Sequence, residues 1–106
     1  MQQDVVLAVK DKVLTAHIKC EIDHHAARRI REKIDRCLTD ERPEILVMDF
    51  SEVKFMDSSG LGLILGRVDK ADNVKASVRL VGLSSTLMKL IRLSGLEKVK
   101  NLSVKK

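Results

Sequence analysis

The fold of this chain is decided by residues 44–67, which read EILVMDFSEVKFMDSSGLGLILGR. Residues 44–50 are almost continuously apolar, which is typical of a strand buried on both faces of a parallel sheet. A connection over residues 51–56 leads to a helix predicted from Ser59 to Ala71. The predicted core face of that helix has apolar residues at helical spacing: Leu61, Ile64, Leu65 and Val68.

Two β-rich runs near the start of the chain predict an antiparallel hairpin. They cover residues 4–9 and 12–20, and Lys10-Asp11 between them suits a tight turn. The second run alternates, so one of its faces is predicted to be buried: Leu14, Ala16, Ile18 and Cys20. The opposite face is predicted to carry Val13, Thr15, His17 and Lys19.

An amphipathic helix of about four turns is predicted after this hairpin. Asp23 suits its N-cap, and the helix must end before Pro43, because a residue that precedes proline avoids helical geometry. Charged residues occupy its outer positions. Its predicted core face is apolar: Ala27, Ile30, Ile34, Cys37 and Leu38.

The rest of the chain predicts a strand, a third helix and a short final strand. The strand covers residues 77–82, and Ser84 or Ser85 suits the N-cap of the helix that follows. The buried side of that helix is predicted to carry Leu87, Leu90 and Ile91. Gly95 suits a left-handed helix terminator, and the final strand is predicted near Val99.

The composition fits one small globular domain over residues 1–106, with a mixed β-sheet flanked by helices in the order β-β-α-β-α-β-α-(β). The net charge is +5, with a basic tail at Lys105-Lys106, but basic and acidic residues are interspersed. The chain has no Trp or Tyr to stack on bases, so we expect no direct nucleic-acid binding.

Cysteine usage and hydropathy indicate a cytoplasmic protein. Cys20 and Cys37 form no Cys-x-x-Cys pair and are too few for a disulfide scaffold. No apolar run approaches the length of a membrane span, and the first residues lack the layout of a signal peptide. We therefore expect reduced thiols and no membrane contact.

The start of the second predicted helix concentrates polar residues. Asp57, Ser58 and Ser59 stand there together, although one residue is enough for an N-cap. Gly60 follows directly, which adds a residue that is unfavourable inside a helix. Such a cluster at the carboxyl end of a strand is a candidate site, because sites of α/β sheets gather there.

Two more glycines in this helix predict a docking face. Glycine inside a helix costs about 1 kcal/mol relative to alanine. Projection at about 100° per residue places Gly62, Leu63 and Gly66 opposite the predicted core face, together with Arg67 and Lys70. We therefore predict that small residues allow a partner to approach and that Leu63 anchors it.

Catalytic and cofactor sites each lack a required residue. The dinucleotide pattern Gly-x-Gly-x-x-Gly fails, because Gly66 lies one position too late. Neither the Gly-Lys-Ser/Thr end of a phosphate-binding loop nor the Gly-x-Ser-x-Gly of serine hydrolases is present. His24 and His25 are adjacent, so they point about 100° apart on a helix and form a poor metal pair. We expect no enzyme activity, no cofactor and no metal.

Four segments resemble the anti-sigma factor antagonists, whose domain is the STAS domain. They are Asp23-His24-His25, Phe55-Met56-Asp57-Ser58-Ser59-Gly60-Leu61-Gly62, Ile64-Leu65-Gly66-Arg67 and Ser94-Gly95-Leu96. The second segment is the specific one, and the likeness extends over nearly the whole chain. The sporulation anti-sigma-F factor antagonists are the most similar members.

The resemblance implies a phosphorylation switch at Ser58. An anti-sigma factor with serine kinase activity would phosphorylate Ser58, and a PP2C-type phosphatase would remove the phosphate. The unphosphorylated chain would bind that anti-sigma factor and free the sigma factor. Asp23 and Asp57 are also explained as helix caps, and both roles stay open. The expected partner-binding residues are Asp23, His24, Asp57, Ser58, Ser59, Gly60, Gly62, Leu63 and Gly66.

Two other functions stay open from the sequence. The glycine-rich helix start and the basic charge fit a domain that binds a nucleotide or another small anion. Related domains also occur as subunits of stress-signalling complexes. Replacement of Ser58 by alanine separates the switch from a ligand site, since it should abolish the first and matter little for the second.

Overall fold

A computed structural model describes residues 4–105 and shows five strands and three helices within them. The strands are β1 (Val5–Lys10), β2 (Val13–Ile18), β3 (Ile45–Asp49), β4 (Ser77–Val81) and β5 (Leu102–Val104). The helices are α1 (His24–Glu41), α2 (Ser58–Asn73) and α3 (Ser85–Ser94), and a 3₁₀ turn over Leu96–Lys98 follows α3. The predicted mixed fold and its order of strands and helices are confirmed.

The strands form one mixed sheet in the order β1-β2-β3-β4-β5. β1 and β2 pair antiparallel, and the other neighbours pair parallel. The hairpin turn lies at Asp11 and Lys12, with φ of 51° and 65°, one residue later than predicted. Two left-handed residues match the twist of a tight hairpin, so β1 extends to Lys10, which pairs with Val13.

One face of the sheet is buried and the other is half-exposed. Leu14 and Leu46 are fully buried, whereas their neighbours Thr15 and Val47 are only partly covered. The prediction that β3 is buried on both faces is therefore wrong. α1 packs on β1 and β2, α2 packs on β4, and the two helices contact each other, so they share one side of the sheet.

α1 begins at the predicted cap, where the Asp23 carboxylate accepts a hydrogen bond from the Ala26 N–H at 2.8 Å. The helix continues to Glu41 and ends at Arg42, whose φ of 46° is left-handed, directly before Pro43. It is longer than predicted, because no residue breaks it before that proline. Ala27 and Cys37, predicted in the core, are half-buried and flank the core face, which consists of Ala26, Ile30, Ile34 and Leu38.

The buried face of α2 differs from the predicted one. Leu65 is 44% exposed, whereas Leu63 and Arg67 are only 4% and 5% exposed. α2 packs against both the sheet and α1, so it has a second buried side. On that second side, Arg67 lies 2.9 Å from Asp35 of α1. The prediction that Leu63 and Arg67 face outward is therefore wrong.

The caps predicted for α3 are present in the structure. The Ser84 hydroxyl accepts the Leu87 N–H at 3.1 Å, and Gly95 ends α3 with a φ of 80°. The final strand lies at Leu102–Val104 rather than near Val99, because the 3₁₀ turn and a left-handed Asn101 come first.

The ends of the predicted domain, residues 1–3 and Lys106 of the basic tail, lie outside the described residues. Within residues 4–105, one hydrophobic cluster joins the sheet to all three helices. No helix in this range combines the length and the apolar character that a membrane crossing requires.

Candidate functional site

α1 and α2 begin side by side at the carboxyl ends of the parallel strands β2 and β3. A short parallel bridge joins the residues before them: the Ile22 N–H donates to the Phe55 carbonyl at 3.0 Å, and the Asp57 N–H donates to the Ile22 carbonyl at 3.1 Å. Ile22 and Met56 are buried, so this bridge is anchored in the core. The caps Asp23 and Asp57 follow it directly, which brings the two predicted helix starts into one site.

Ser58 is the first residue of α2 and is exposed. Asp57 is the N-cap: its carboxylate accepts the Ser59 N–H at 2.8 Å, and its carbonyl accepts the Gly60 N–H at 2.9 Å. Ser59 is half-buried. An enzyme that approaches from solvent therefore meets the Ser58 hydroxyl on an ordered helix start, whereas Ser59 is partly covered.

Gly60 is required by the fold itself. A Cβ atom at this position would lie 2.6 Å from the sulfur of Met56, a buried core side chain. Gly60 is also buried. Its missing side chain therefore allows α2 to pack on Met56.

Packing within the domain does not explain why Gly62 and Gly66 are glycines. A Cβ atom at either position would meet no atom within 4 Å. Gly62 is exposed and Gly66 is half-exposed. Each costs α2 about 1 kcal/mol relative to alanine. The helix is therefore less stable than it could be at two positions whose side chains would point into open space.

A groove of about 400 Å³ lies between the first turns of α1 and α2. Its lining comes from both helices: His24, Ala27, Arg28 and Arg31 from α1, and Ser59, Gly62 and Leu63 from α2. The buried Leu63 belongs to the floor of this groove and is not the protruding anchor that was predicted. The groove thus brings together four predicted site residues and two arginines that the sequence did not indicate.

Asp23 and His24 lie at this end of α1, as predicted. The hydrogen bond from Ala26 is the main reason why the pKa of Asp23 lies below its ordinary value of 3.8. His24 is exposed, and its ring meets that of His25 edge-on with centroids 5.7 Å apart. In the part of the chain that the structure describes, no three His, Cys, Asp or Glu side chains are grouped to hold a metal ion.

An apolar patch beside Ser58 was missed by the sequence reasoning. Phe55 is 55% exposed and Leu93 of α3 is 78% exposed. Together with Leu90 they border a depression of about 290 Å³, whose other lining residues include Lys54 and Lys89. A single exposed leucine is ordinary, so only the proximity of Leu93 to Phe55 in the fold reveals the patch.

Arg67 and Asp35 form a buried ion pair that joins α2 to α1. Their Nε and Oδ1 atoms are 2.9 Å apart, and the two side chains are 6% and 30% exposed. Neither atom makes a well-directed hydrogen bond within the described residues, so the pair is close but poorly aligned. Burial raises the pKa of Asp35 and lowers the pKa of Arg67, and in both cases it outweighs the attraction between them.

Residues 4–105 match the family model of the STAS domain. The chain belongs to the STAS domain family. It is 37% identical over 76 residues to the anti-sigma F factor antagonist of Lysinibacillus sphaericus. That match covers 72% of this chain and 65% of the relative, so it spans slightly less than two thirds of the relative's length.

Two solved structures share the fold of this STAS domain at appreciable identity. The anti-sigma factor antagonist SpoIIAA in its unphosphorylated form has a TM-score of 0.74 and 27% identity, over 96% of this chain and 87% of that one. The Bacillus cell fate determinant SpoIIAA in the phosphorylated form has a TM-score of 0.73 and 30% identity, over 96% and 91%. The family expected from the sequence is therefore confirmed, and the named relatives are regulators of an anti-sigma factor.

Proposed function

We propose that this STAS domain is an anti-anti-sigma factor that is switched by phosphorylation of Ser58. The unphosphorylated domain binds an anti-sigma factor with serine kinase activity and frees the sigma factor. A PP2C-type phosphatase restores the binding form. The observation that carries the proposal is the exposed Ser58 at the first position of α2. Relatives of the same fold are described in phosphorylated and unphosphorylated forms, which supports it.

The phosphate acts on the interface rather than on the fold. It adds about −1.5 to −2 charges. The positive end of the α2 dipole favours an anion there by about 0.3–1 kcal/mol, so the helix tolerates the modification although Asp57 repels it. An unpaired dianion buried against a partner costs several kcal/mol, and about 4 kcal/mol weakens binding roughly a thousandfold. Direct blocking is therefore sufficient for the switch.

The partner surface that we propose extends from Ser58 in two directions. Along α2 it includes Gly62 and Gly66, where the backbone is open to a close contact. On the other side it includes the exposed Phe55 and Leu93, because solvent-exposed apolar groups beside a switch residue suit a protein partner. Asp57 contributes as the cap that orders the helix start.

The domain acts in this scheme as a substrate and binding partner, and not as an enzyme. Its only covalent change is the gain and loss of the phosphoryl group on Ser58, and both steps are catalysed by other proteins. A regulator of a sigma factor acts where transcription occurs, so we place it in the cytoplasm. The scheme requires no cofactor and no direct contact with nucleic acid.

A displacement assay tests the proposed function. The anti-sigma kinase in complex with its sigma factor is mixed with wild type or Ser58→Ala, and free sigma factor is measured by size-exclusion chromatography. With ADP, both proteins should release the sigma factor. With ATP, wild type should lose this ability over time, whereas Ser58→Ala should keep it. If both proteins lose the ability at the same rate, Ser58 is not the switch.

A further inference from the structure

The groove between α1 and α2 carries positive charge at its walls. Its lining residues include Arg28 and Arg31 but no Asp or Glu. Arg28 approaches Glu32 at 3.5 Å, but both side chains are largely exposed, and such a pair binds weakly. Arg31 is exposed and forms no ion pair among residues 4–105, although Asp35 attracts its charge from a longer distance. At least one of the two guanidinium groups is therefore free to bind an incoming carboxylate.

The helix starts add to this field. α1 and α2 begin next to each other, so the positive ends of two helix dipoles lie at the same end of the groove. The carboxylates of Asp23 and Asp57 offset part of that charge, and each already accepts a backbone N–H as a cap. The arginines lie further along the groove, so their charge is what a ligand within it would meet.

We propose that this groove receives an acidic side chain of the anti-sigma kinase, bound by Arg28 and Arg31. The inference rests on the proposed function and adds the chemistry of the partner. Charge complementarity selects a carboxylate, since the arginine fork matches its two oxygens. Continuity with the switch gives the location, because Ser59 lines the groove directly after Ser58. Gly62 leaves the space that the incoming side chain would occupy.

This arrangement also explains why a phosphate on Ser58 expels the partner. The phosphate would stand one residue from the groove, where its charge repels an incoming carboxylate. Docking of the acidic group and phosphorylation of Ser58 exclude each other by charge, with no need for a change in the backbone.

The test compares two double variants of α1 with the same charge change. Arg28→Gln with Arg31→Gln removes the groove cations. Lys33→Gln with Arg36→Gln removes two cations that line a separate depression of the same helix. Binding of each unphosphorylated protein to the kinase with ADP is measured by calorimetry. We expect the groove variant to lose about tenfold or more in affinity and the control less than about threefold.

The same titrations at low and high salt add a second readout. As salt rises from about 50 to 300 mM, the affinity of wild type and of the control should fall, because salt screens the attraction between the arginines and the carboxylate. The affinity of the groove variant should fall less, since it lacks those arginines. Equal losses in the two double variants, or no loss in either, overturn the proposal. Failure of wild type to bind the kinase overturns the proposed function instead, so the two failures are distinct.

A second pair of variants keeps the test independent of the arginines. Gly62→Glu and Gly62→Gln fill the groove with side chains of equal size, and a Cβ atom there meets nothing within 4 Å. Only glutamate repels the incoming carboxylate and occupies the arginines, so Gly62→Glu should bind the kinase about fivefold more weakly than Gly62→Gln. Equal affinities contradict the proposal. A rise in melting temperature with inorganic phosphate that the groove variant lacks would assign the groove to a free anion and also overturn it.

Discussion

At the scale of single residues, Gly60 and Gly62 lack a side chain for different reasons. At Gly60 the Met56 sulfur occupies the place of a Cβ atom, only 2.6 Å away. At Gly62 the place that a Cβ atom would take is open space. The sequence shows three similar glycines in one helix, and only the packing assigns the first to the core and the others to the surface.

Alanine at these two positions should act in opposite directions on stability. Gly62→Ala should raise the free energy of unfolding by about 0.5–1 kcal/mol, because alanine is the better helix former and meets no neighbour. Gly60→Ala should lower it by about 1–3 kcal/mol through overpacking against Met56. Chemical denaturation measures both changes. Changes of the same sign in the two variants would contradict this account of α2.

The capping carboxylate of Asp23 should make the fold sensitive to acid. Its pKa in the folded protein lies below the ordinary 3.8, mainly because it accepts the Ala26 N–H. The unfolded chain therefore binds a proton more readily, so this contribution is present above the ordinary pKa and is lost as pH falls through the folded value.

Thermal melts at neutral pH and at about pH 3 should expose this effect. Asp23→Asn keeps an acceptor for the cap but does not titrate, so its melting temperature should fall less between the two pH values than that of wild type. The pKa values of Asp4 and Asp49 are also lowered in the folded protein, but both carboxylates are present in wild type and variant, so their contributions cancel in the comparison. An equal fall in both proteins would show that Asp23 contributes nothing to the pH dependence.

At the scale of helices and strands, caps and turns could be read from the sequence, whereas the face of α2 could not. Asp23, Ser84 and Gly95 each act locally, and the structure has them where their chemistry predicts. The face of α2 depends on what lies beside it. A single apolar stripe was expected, but α2 packs on both the sheet and α1, so Leu63 is buried and Leu65 is exposed.

The groove could not be predicted from the sequence, for a related reason. Its arginines stand on α1 and its glycine on α2, about thirty residues away along the chain. Nothing in the local pattern of α1 separates Arg28 and Arg31 from the other cations of a solvated helix face. The bridge between Ile22 and Met56 makes them part of one site, and such a pairing has no periodic signature.

The ion pair between the helices should show strong non-additivity. Asp35→Leu leaves the Arg67 charge buried without a partner and should cost about 3 kcal/mol of stability. Adding Arg67→Met should recover more than half of that loss, because burial disfavours the charged forms of both side chains and the apolar pair no longer has to bury a charge. Urea unfolding of the two single variants and the double variant measures the coupling. Additive losses would mean that the two side chains act independently.

At the scale of the whole molecule, the sheet supports the candidate site, and we expect it to take no part in the proposed switch. Ser58 lies beyond the end of β3, on a helix start that is held by backbone hydrogen bonds and by the Asp57 cap. A phosphate added to this exposed position meets solvent on one side and the helix dipole on the other. We therefore expect phosphorylation to leave the fold unchanged.

Amide chemical shifts of the two forms test this rigidity. Phosphorylation should shift the amides at the starts of α1 and α2 and leave those of β4 and β5 unchanged, since charge effects fade beyond about 10 Å in salt. The Ser58→Ala variant, incubated with kinase and ATP in the same way, is the control. Large shifts throughout the sheet would point to a conformational switch instead.

The most direct measurement of the central claim is the intact mass of the protein after incubation with ATP and the anti-sigma kinase. Wild type and Ser59→Ala should each gain about 80 Da, one phosphoryl group, and Ser58→Ala should gain nothing. A gain that persists in Ser58→Ala, or that disappears only in Ser59→Ala, would place the modification elsewhere and contradict the assignment of Ser58 as the switch.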